Sequence, residues 1–371
     1  MTTTPNHEPL SLERAEDVLA YIPHALGFHP EKSVVLLLLV ERRLEATLRV
    51  DLPARSAERT DYQVWIAQVC ELLSRLPGLS ATVGVVYPQS TAGAAGCLPW
   101  SELISCLAEE LSDRDIPLHQ AWCYDGGQVW DYSCENPQHG CLTVAHPELS
   151  PTSLRLVVAG SAPLTEPWDG RDVHEWPNAT QIRELAKTLD GDYLDSLDAW
   201  AMILDAQPFD AERILRNEPL IPARLISGLS IRMVRDILPY LAGAGTIAAV
   251  NAVSLIQAHR RGQPVQISGM TDFLLGRGTL TPQWERVEQL WFICRDLLGV
   301  AQGEERAALL CLLAWIEWAK GRGSMSMALL RSALKEEPGY RLAQLLEQLL
   351  QRGIMPQWAT DPERAWRASF E

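Results

Sequence analysis

The segment from residue 22 to residue 53 reads IPHALGFHPEKSVVLLLLVERRLEATLRVDLP, and it decides the fold of the N-terminal half. Its apolar run predicts a strand from Ser33 to Val40 that is buried on both faces of a sheet. The charged residues 41–43 reverse the chain, and Leu44 to Val50 returns as a second strand. Pro53 ends this strand because proline cannot donate to the hydrogen-bond ladder. The segment therefore predicts a β-hairpin.

The open end of this hairpin is a candidate ligand-binding edge. His29 precedes the first strand, while Arg49 and Asp51 close the second, so the three are neighbours in an antiparallel pair. His29 is an acid or base near neutral pH that Asp51 can orient. Arg49 can bind an anion bidentately, and His24 lies one turn away. The alternative is structural: a turn before the first strand, with Arg49 paired to an acid to fix the strand end.

Further strands and helices alternate through the first 150 residues. The pattern predicts helices near residues 60–76 and 100–111, and strands at Ala81–Tyr87, Ile116–Tyr124 and Gln128–Ser133. The order β-β-α-β-α-β-β predicts an α/β fold with a mixed sheet covered by helices. A short helix with apolar residues from Leu12 to Ile22 precedes the hairpin.

The sequence pattern changes after residue 150. Residues 151–177 are rich in proline and predict an irregular linker, in which a short helix between Ser150 and Gly160 is favoured over a strand. Helical periodicity dominates residues 178–356, and residues 357–371 form a tail. The sequence therefore predicts an all-α domain after the α/β domain.

The end of the helical domain has the spacing of a tetratricopeptide-like helix pair. Small residues allow close approach of two helices, and Ser326 and Glu317 depart from the usual alanine and aromatic. The pattern consists of Ala314, Gly321, Leu330, Ala333 and Pro338. One repeat is not an array, so a helical packing unit is favoured over a peptide-binding groove.

The composition predicts a cytoplasmic globular protein. The chain of 371 residues carries a net charge of −15 and four lysines, so no nucleic acid is expected as a partner. The start is polar and acidic, and no apolar run is long enough for a membrane span. The eight cysteines are expected to be reduced.

The metal and nucleotide signals are weak. Cys134, His139 and Cys141 can share an ion, with Cys123 nearby, but no CxxC occurs and zinc is disfavoured. Ala242 to Gly245 lacks the strand-turn-helix context of a nucleotide loop. The aspartates from 190 to 198 fit a solvated helix face. No cofactor is predicted.

The tail carries Trp358, and Trp366 and Phe370 at helical spacing. Such aromatic residues dock onto a groove, and docking onto the chain's own body is favoured over docking onto a partner.

Several of these segments resemble one family. The segments are Ile22 to Ser33, Arg49 to Pro53, Val85 to Tyr87, the hairpin around Asp125 to Tyr132, Cys134, and Ala314 to Gly353. They are similar to an actinobacterial family known as domain of unknown function 4192. The family often has adjacent cysteines after the position of Cys134, where this chain has His139-Gly140. The resemblance implies a bacterial cytoplasmic protein and no known activity.

Two functions remain open from the sequence. The first is a non-catalytic interaction or regulatory protein that binds a protein partner through its helical half, and it rests on the absence of a catalytic motif. The second is a small-molecule- or nucleotide-binding enzyme with a pocket at the His29, Arg49 and Asp51 edge.

Overall fold

The computed structural model describes residues 12, 14–54, 59–88, 98–134, 141–143, 146–189, 192–265, 268–361 and 363–366. The chain forms two compact units that divide between Pro167 and Trp168. Residues 151–167 thus belong to the first unit and residues 168–177 to the second. The predicted mixed sheet in the N-terminal half and the predicted helical C-terminal half are both confirmed.

The first unit alternates strands and helices. Its elements are α1 (Ala15–Leu26), β1 (Ser33–Val40), β2 (Arg43–Asp51), α2 (Arg59–Leu73), β3 (Leu79–Tyr87), α3 (Ser101–Ser112), β4 (Leu118–Tyr124), β5 (Gln128–Asp131), β6 (Cys141–Thr143), a 3₁₀ turn (Pro147–Leu149) and α4 (Pro151–Val158). The short helix expected after Ser150 is α4. Its first turn is capped by the Ser150 side chain, which accepts a hydrogen bond from the Ser153 amide.

The six strands form one sheet in the order β2-β1-β3-β4-β5-β6. Only β3 and β4 are parallel, and every other neighbouring pair is antiparallel. A parallel pair needs a crossover, which α3 supplies. The ends of β2, β3 and β4 and the start of β1 therefore lie at the same edge of the sheet.

Helices cover both faces of the sheet. Val34 and Leu36 of β1 face the side of α2 and α3, while Val35 and Leu37 face the side of α1. Successive strand residues point to opposite faces, so the alternating residues of this apolar strand contribute to a core on each face of the sheet. Full burial of each such side chain stabilises the fold by about 1.5–3 kcal/mol.

The second unit is helical throughout the residues that the structure describes. Its helices are α5 (Ala179–Thr188), α6 (Tyr193–Asp205), α7 (Pro208–Asn217), α8 (Leu220–Gly228), α9 (Arg232–Ala244), α10 (Thr246–Arg260), α11 (Ser268–Leu274), α12 (Trp284–Leu297), α13 (Gly303–Ala319), α14 (Gly323–Glu336) and α15 (Arg341–Gln351), followed by a 3₁₀ turn (Gln357–Thr360). None of the described helices is long and apolar enough to cross a membrane.

Helix α13 is the centre of this unit. Every residue from Ala307 to Ala319 is buried, as expected for a helix that is mostly apolar all round. Helix α14 packs against it, and the buried Ser326 hydroxyl donates to the Ala314 carbonyl at 2.7 Å. The Ser326 hydroxyl therefore has a hydrogen-bond partner although it is buried between the two helices.

The tail packs against the helical unit. Trp358 is fully buried, and its indole N–H donates to the Ala319 carbonyl at 2.8 Å. The Trp366 ring lies over Lys320 and Arg322. Docking of the tail onto the chain's own body is confirmed for these two residues, and Phe370 lies outside the described residues.

Candidate functional site

Four strand ends meet at one edge of the sheet. Ser33 at the start of β1 pairs with Asp51 at the end of β2 and with Tyr87 at the end of β3. The parallel strand β4 ends beside β3, at Tyr124. Ligands of open α/β sheets bind outside the carboxyl ends of parallel strands. This edge therefore has the geometry of a binding site.

Arg49 and Asp51 form an ion pair here. The guanidinium lies 2.8 Å from the Asp51 carboxylate and donates to the Glu31 carbonyl at 3.1 Å. It also lies 5.7 Å from the centre of the Phe28 ring. The indole of Trp65 donates to the Asp51 carbonyl at 2.8 Å. Arg49 thus fastens the segment before β1 to the end of β2, which is the structural alternative offered by the sequence.

His29 is exposed at this edge, and its backbone N–H donates to the Leu164 carbonyl at 2.8 Å. Within the described residues its imidazole makes no hydrogen bond, so Asp51 does not orient it. Burial is the main cause of the lowered pKa of His24 and a backbone hydrogen bond is the main cause of that of Glu148, and the His29 charge adds to both effects.

His24 lies behind the edge, in the last turn of α1. It is buried, and its ring nitrogens lie 2.8 Å from the Ser161 hydroxyl and 3.1 Å from the Ser153 hydroxyl. Burial lowers the pKa of His24, and the His29 charge lowers it further, so the ring is neutral at neutral pH. His24 connects α1 to α4 and the segment that follows, and it does not face solvent as a ligand-binding residue would.

Two buried hydroxyls at the edge have no partner. Neither the Ser33 hydroxyl nor the Tyr87 hydroxyl makes a hydrogen bond within the described residues. Both side chains lie on the α1 face, because Ser33 alternates with Val34 and Tyr87 belongs to that core. Burial raises the pKa of Tyr87 well above its usual value, so the phenol keeps its proton. The pair offers two hydroxyl donors to an acceptor.

Tyr124 contacts Tyr87 and is influenced by the charge of Glu148, which is influenced in turn by His146 and His29; we call these last three residues the rim. His146 lies 2.8 Å from Glu148, and Tyr124 packs edge-on against Tyr87 with ring centres 5.9 Å apart. Burial raises the pKa of Tyr124, and the carboxylates of Glu148 and Asp125 raise it further. The backbone amide of Glu148 lowers the pKa of its own carboxyl most, and His146 and His29 add to that effect against opposing desolvation.

Backbone conformation at this edge is unusual. Lys32, directly before Ser33, has φ of 49°, and His146 has φ of 52°. Residues other than glycine adopt this left-handed region at a cost, and such residues cluster at functional sites.

The predicted metal set is only partly described. Cys134 is half-buried and the backbone of Cys141 lies in β6, whereas His139 and the Cys141 side chain lie outside the described residues. Burial raises the pKa of Cys123 to about 11, which disfavours its thiolate. Among the described residues, no group of three or more His, Cys, Asp or Glu side chains can hold a metal ion.

Three of the residues predicted from the sequence lie at this sheet edge, but they include only part of its polar groups. The prediction named His29, Arg49 and Asp51, which the structure brings to one end of the sheet, while Ser33, Tyr87, Tyr124, His146 and Glu148 were overlooked. The available signal was a polar residue at the end of each apolar strand. Such an edge can bind and orient an oxygen acceptor.

The family model that matches this chain covers residues 16–192 and 216–357, most of its length. The chain belongs to the family described as domain of unknown function (DUF4192). No curated protein and no solved structure matches it. Both the sheet edge and the α13–α14 pair lie within the matched residues, so both are parts of the DUF4192 domain.

Proposed function

We propose that the α/β unit binds a small polar molecule at the sheet edge. The observation that carries this proposal is the pair of buried hydroxyls, Ser33 and Tyr87, which lack partners in the described residues. A buried polar group without a hydrogen bond costs about 1–3 kcal/mol. A ligand oxygen that accepts from both hydroxyls removes this cost.

The ligand is a compound with a carbonyl or carboxylate oxygen at one end. Tyr87 is suited to donate because its raised pKa keeps it protonated. The exposed His29 and His146 lie at the rim, where they can contact a polar group at the other end. Binding is favoured over proton transfer, because His24 is buried with both nitrogens occupied and His29 has no orienting acid.

Removing one hydroxyl at a time tests the proposal. Native mass spectrometry of the full-length chain, purified from its own cells, should show a retained small molecule. Tyr87→Phe and Ser33→Ala should each reduce the bound fraction about tenfold, the loss of one hydrogen bond.

Tyr132→Phe is the matched control. The Tyr132 hydroxyl already donates to the Pro99 carbonyl at 2.6 Å, so its removal should leave the bound fraction unchanged. Wild-type chain that retains no small molecule, or equal retention in all four proteins, contradicts the proposal.

A second candidate is an interaction role for the helical unit, in a bacterial cytoplasm. The α13–α14 pair supports a tetratricopeptide-like character, with Ala314, Leu330 and Ala333 fully buried. On α10, Ile247 is 81% exposed and Val250 is 58% exposed, one turn apart. Replacing both by glutamate should abolish cross-linking to a protein partner in cells, and unchanged cross-linking argues against this surface.

A further inference from the structure

The tail is attached to the helical unit at two places that differ in kind. Near Trp358 the attachment is deep: the Trp318 indole donates to the Ile354 carbonyl at 2.8 Å, and the Gln357 amide donates to the Gly276 carbonyl at 2.7 Å. A side-chain carbon on Gly276 would lie 2.6 Å from the Pro356 backbone, so only glycine fits there. This part of the tail belongs to the core.

The attachment at Trp366 is shallower. Its ring is half-buried, 4.9 Å from the Lys320 ammonium and 4.5 Å from the Arg322 guanidinium. The half-buried Arg364, two residues before it, donates to the carbonyls of Gly278 and Leu280. Cation–π contacts at such sites are individually weak.

The groups beneath Trp366 are not fully satisfied. Within the described residues the Arg322 side chain makes no hydrogen bond; it lies 3.7 Å from the Glu317 carboxylate. The Glu317 carboxylate also lacks a hydrogen bond at one oxygen: its Oε2 atom is buried and has no hydrogen-bond partner among the described residues. Lys320 lies 2.8 Å from the Glu288 carboxylate and, like Arg322, 3.7 Å from the Glu317 carboxylate, too far for a hydrogen bond.

We propose that Trp366 is a releasable cap, and that Arg322 is the switch between its two positions. In the closed position Arg322 faces the Trp366 ring and leaves Glu317 incompletely paired. In the open position the ring departs and Arg322 moves onto Glu317, where it makes the charge-assisted hydrogen bonds that are missing when closed. Each position satisfies a contact that the other lacks. Trp358 stays anchored in both.

Chymotrypsin reports the open position directly, because it cleaves after Trp366 only when the indole has left Lys320 and Arg322. The rate of cleavage of the full-length chain at this bond is read by intact mass. Arg322→Gln removes the weak cation–π contact of the closed position and the stronger charge-assisted hydrogen bonds of the open position, so it should slow cleavage several-fold. Arg322→Lys, which keeps the charge, should have a smaller effect.

Glu317→Gln decides between a switch and a simple structural contact. If Glu317 competes for Arg322, the glutamine variant should stay closed and be cleaved several-fold more slowly than wild type. If Glu317 only neutralises the cations beneath the ring, its loss should loosen the tail and speed cleavage. Faster or unchanged cleavage of Glu317→Gln overturns the proposal.

Arg295→Gln is the matched control, because Arg295 also lies over an aromatic ring, that of Trp291 at 5.5 Å, but does not contact Trp366. Its cleavage rate should equal that of wild type. Hydrogen exchange at residues 363–366 provides a second measurement on every variant, and it should rank the variants in the same order.

Discussion

In the helical unit the buried indoles of Trp200 and Trp358 donate to backbone carbonyls, whereas in the α/β unit the buried hydroxyls of Ser33 and Tyr87 have no hydrogen-bond partner among the described residues. Buried polar groups are nearly always hydrogen-bonded in native proteins, so an exception needs an explanation. At the sheet edge we explain the exception by a ligand. The described part of the helical unit also has several such atoms, and one of them belongs to the Glu317 carboxylate beneath the Trp366 cap.

The largest effect is expected at Trp358, a buried residue of the helical unit whose indole N–H is hydrogen-bonded. Trp358→Ala removes a fully buried ring, packed 5.2 Å from the Phe273 ring centre, together with its hydrogen bond to Ala319. We expect a loss of about 3–5 kcal/mol in the free energy of unfolding, measured by urea denaturation.

The control for Trp358 is Phe209→Ala on α7, where the ring is 78% exposed. It should change the free energy of unfolding by less than about 0.5 kcal/mol. Comparable losses in the two variants would mean that the Trp358 anchor is not part of the core.

A smaller effect should separate two serines that are equally buried. Ser326→Ala deletes a hydroxyl that donates to Ala314 at 2.7 Å, and should cost about 1 kcal/mol of unfolding free energy. Ser33→Ala deletes a hydroxyl without a partner and should be neutral or stabilising for the unliganded chain. Equal losses in urea denaturation would show that Ser33 has a structural partner, which would remove the basis of the ligand site.

The smallest effect concerns pH. The pKa of His24 is lowered in the folded chain, so the unfolded chain binds the proton more readily. Stability should be complete above the unfolded pKa of about 6.5 and should decline as pH falls below that value. Thermal melting of His24→Gln should lack this decline, while the exposed His119→Gln should keep it. A decline that persists in His24→Gln assigns the proton to another group.

The strands of the first unit were well predicted where apolar residues are continuous. The strand expected from Ser33 to Val40 has these bounds, and the one expected from Leu44 to Val50 extends by one residue at each end. Strand β6 was not predicted, because three residues between irregular segments give no periodic signal. Its pairing with β5 depends on the rest of the sheet.

The site was harder to predict than the fold. The antiparallel direction of the two strands was enough to place the end of the second strand, with Arg49 and Asp51, at the open end of the hairpin. The sequence does not show whether Ser33, at the start of the first strand, is buried or exposed. Ser33 is fully buried because it faces the side that α1 covers. The hydrogen bond from the His29 backbone N–H to the Leu164 carbonyl joins distant parts of the chain, and no local pattern encodes such a contact.

The deep anchor of Trp358 has a consequence for synthesis. Chains emerge from the ribosome with the N-terminal residues first, and Trp358 follows α15 in chain order. Until Trp358 emerges, the Phe273 ring lacks one of its aromatic neighbours and the Ala319 carbonyl lacks its indole donor. The helical unit therefore cannot complete its packing before Trp358 has been synthesised, although all of its described α-helices precede that residue.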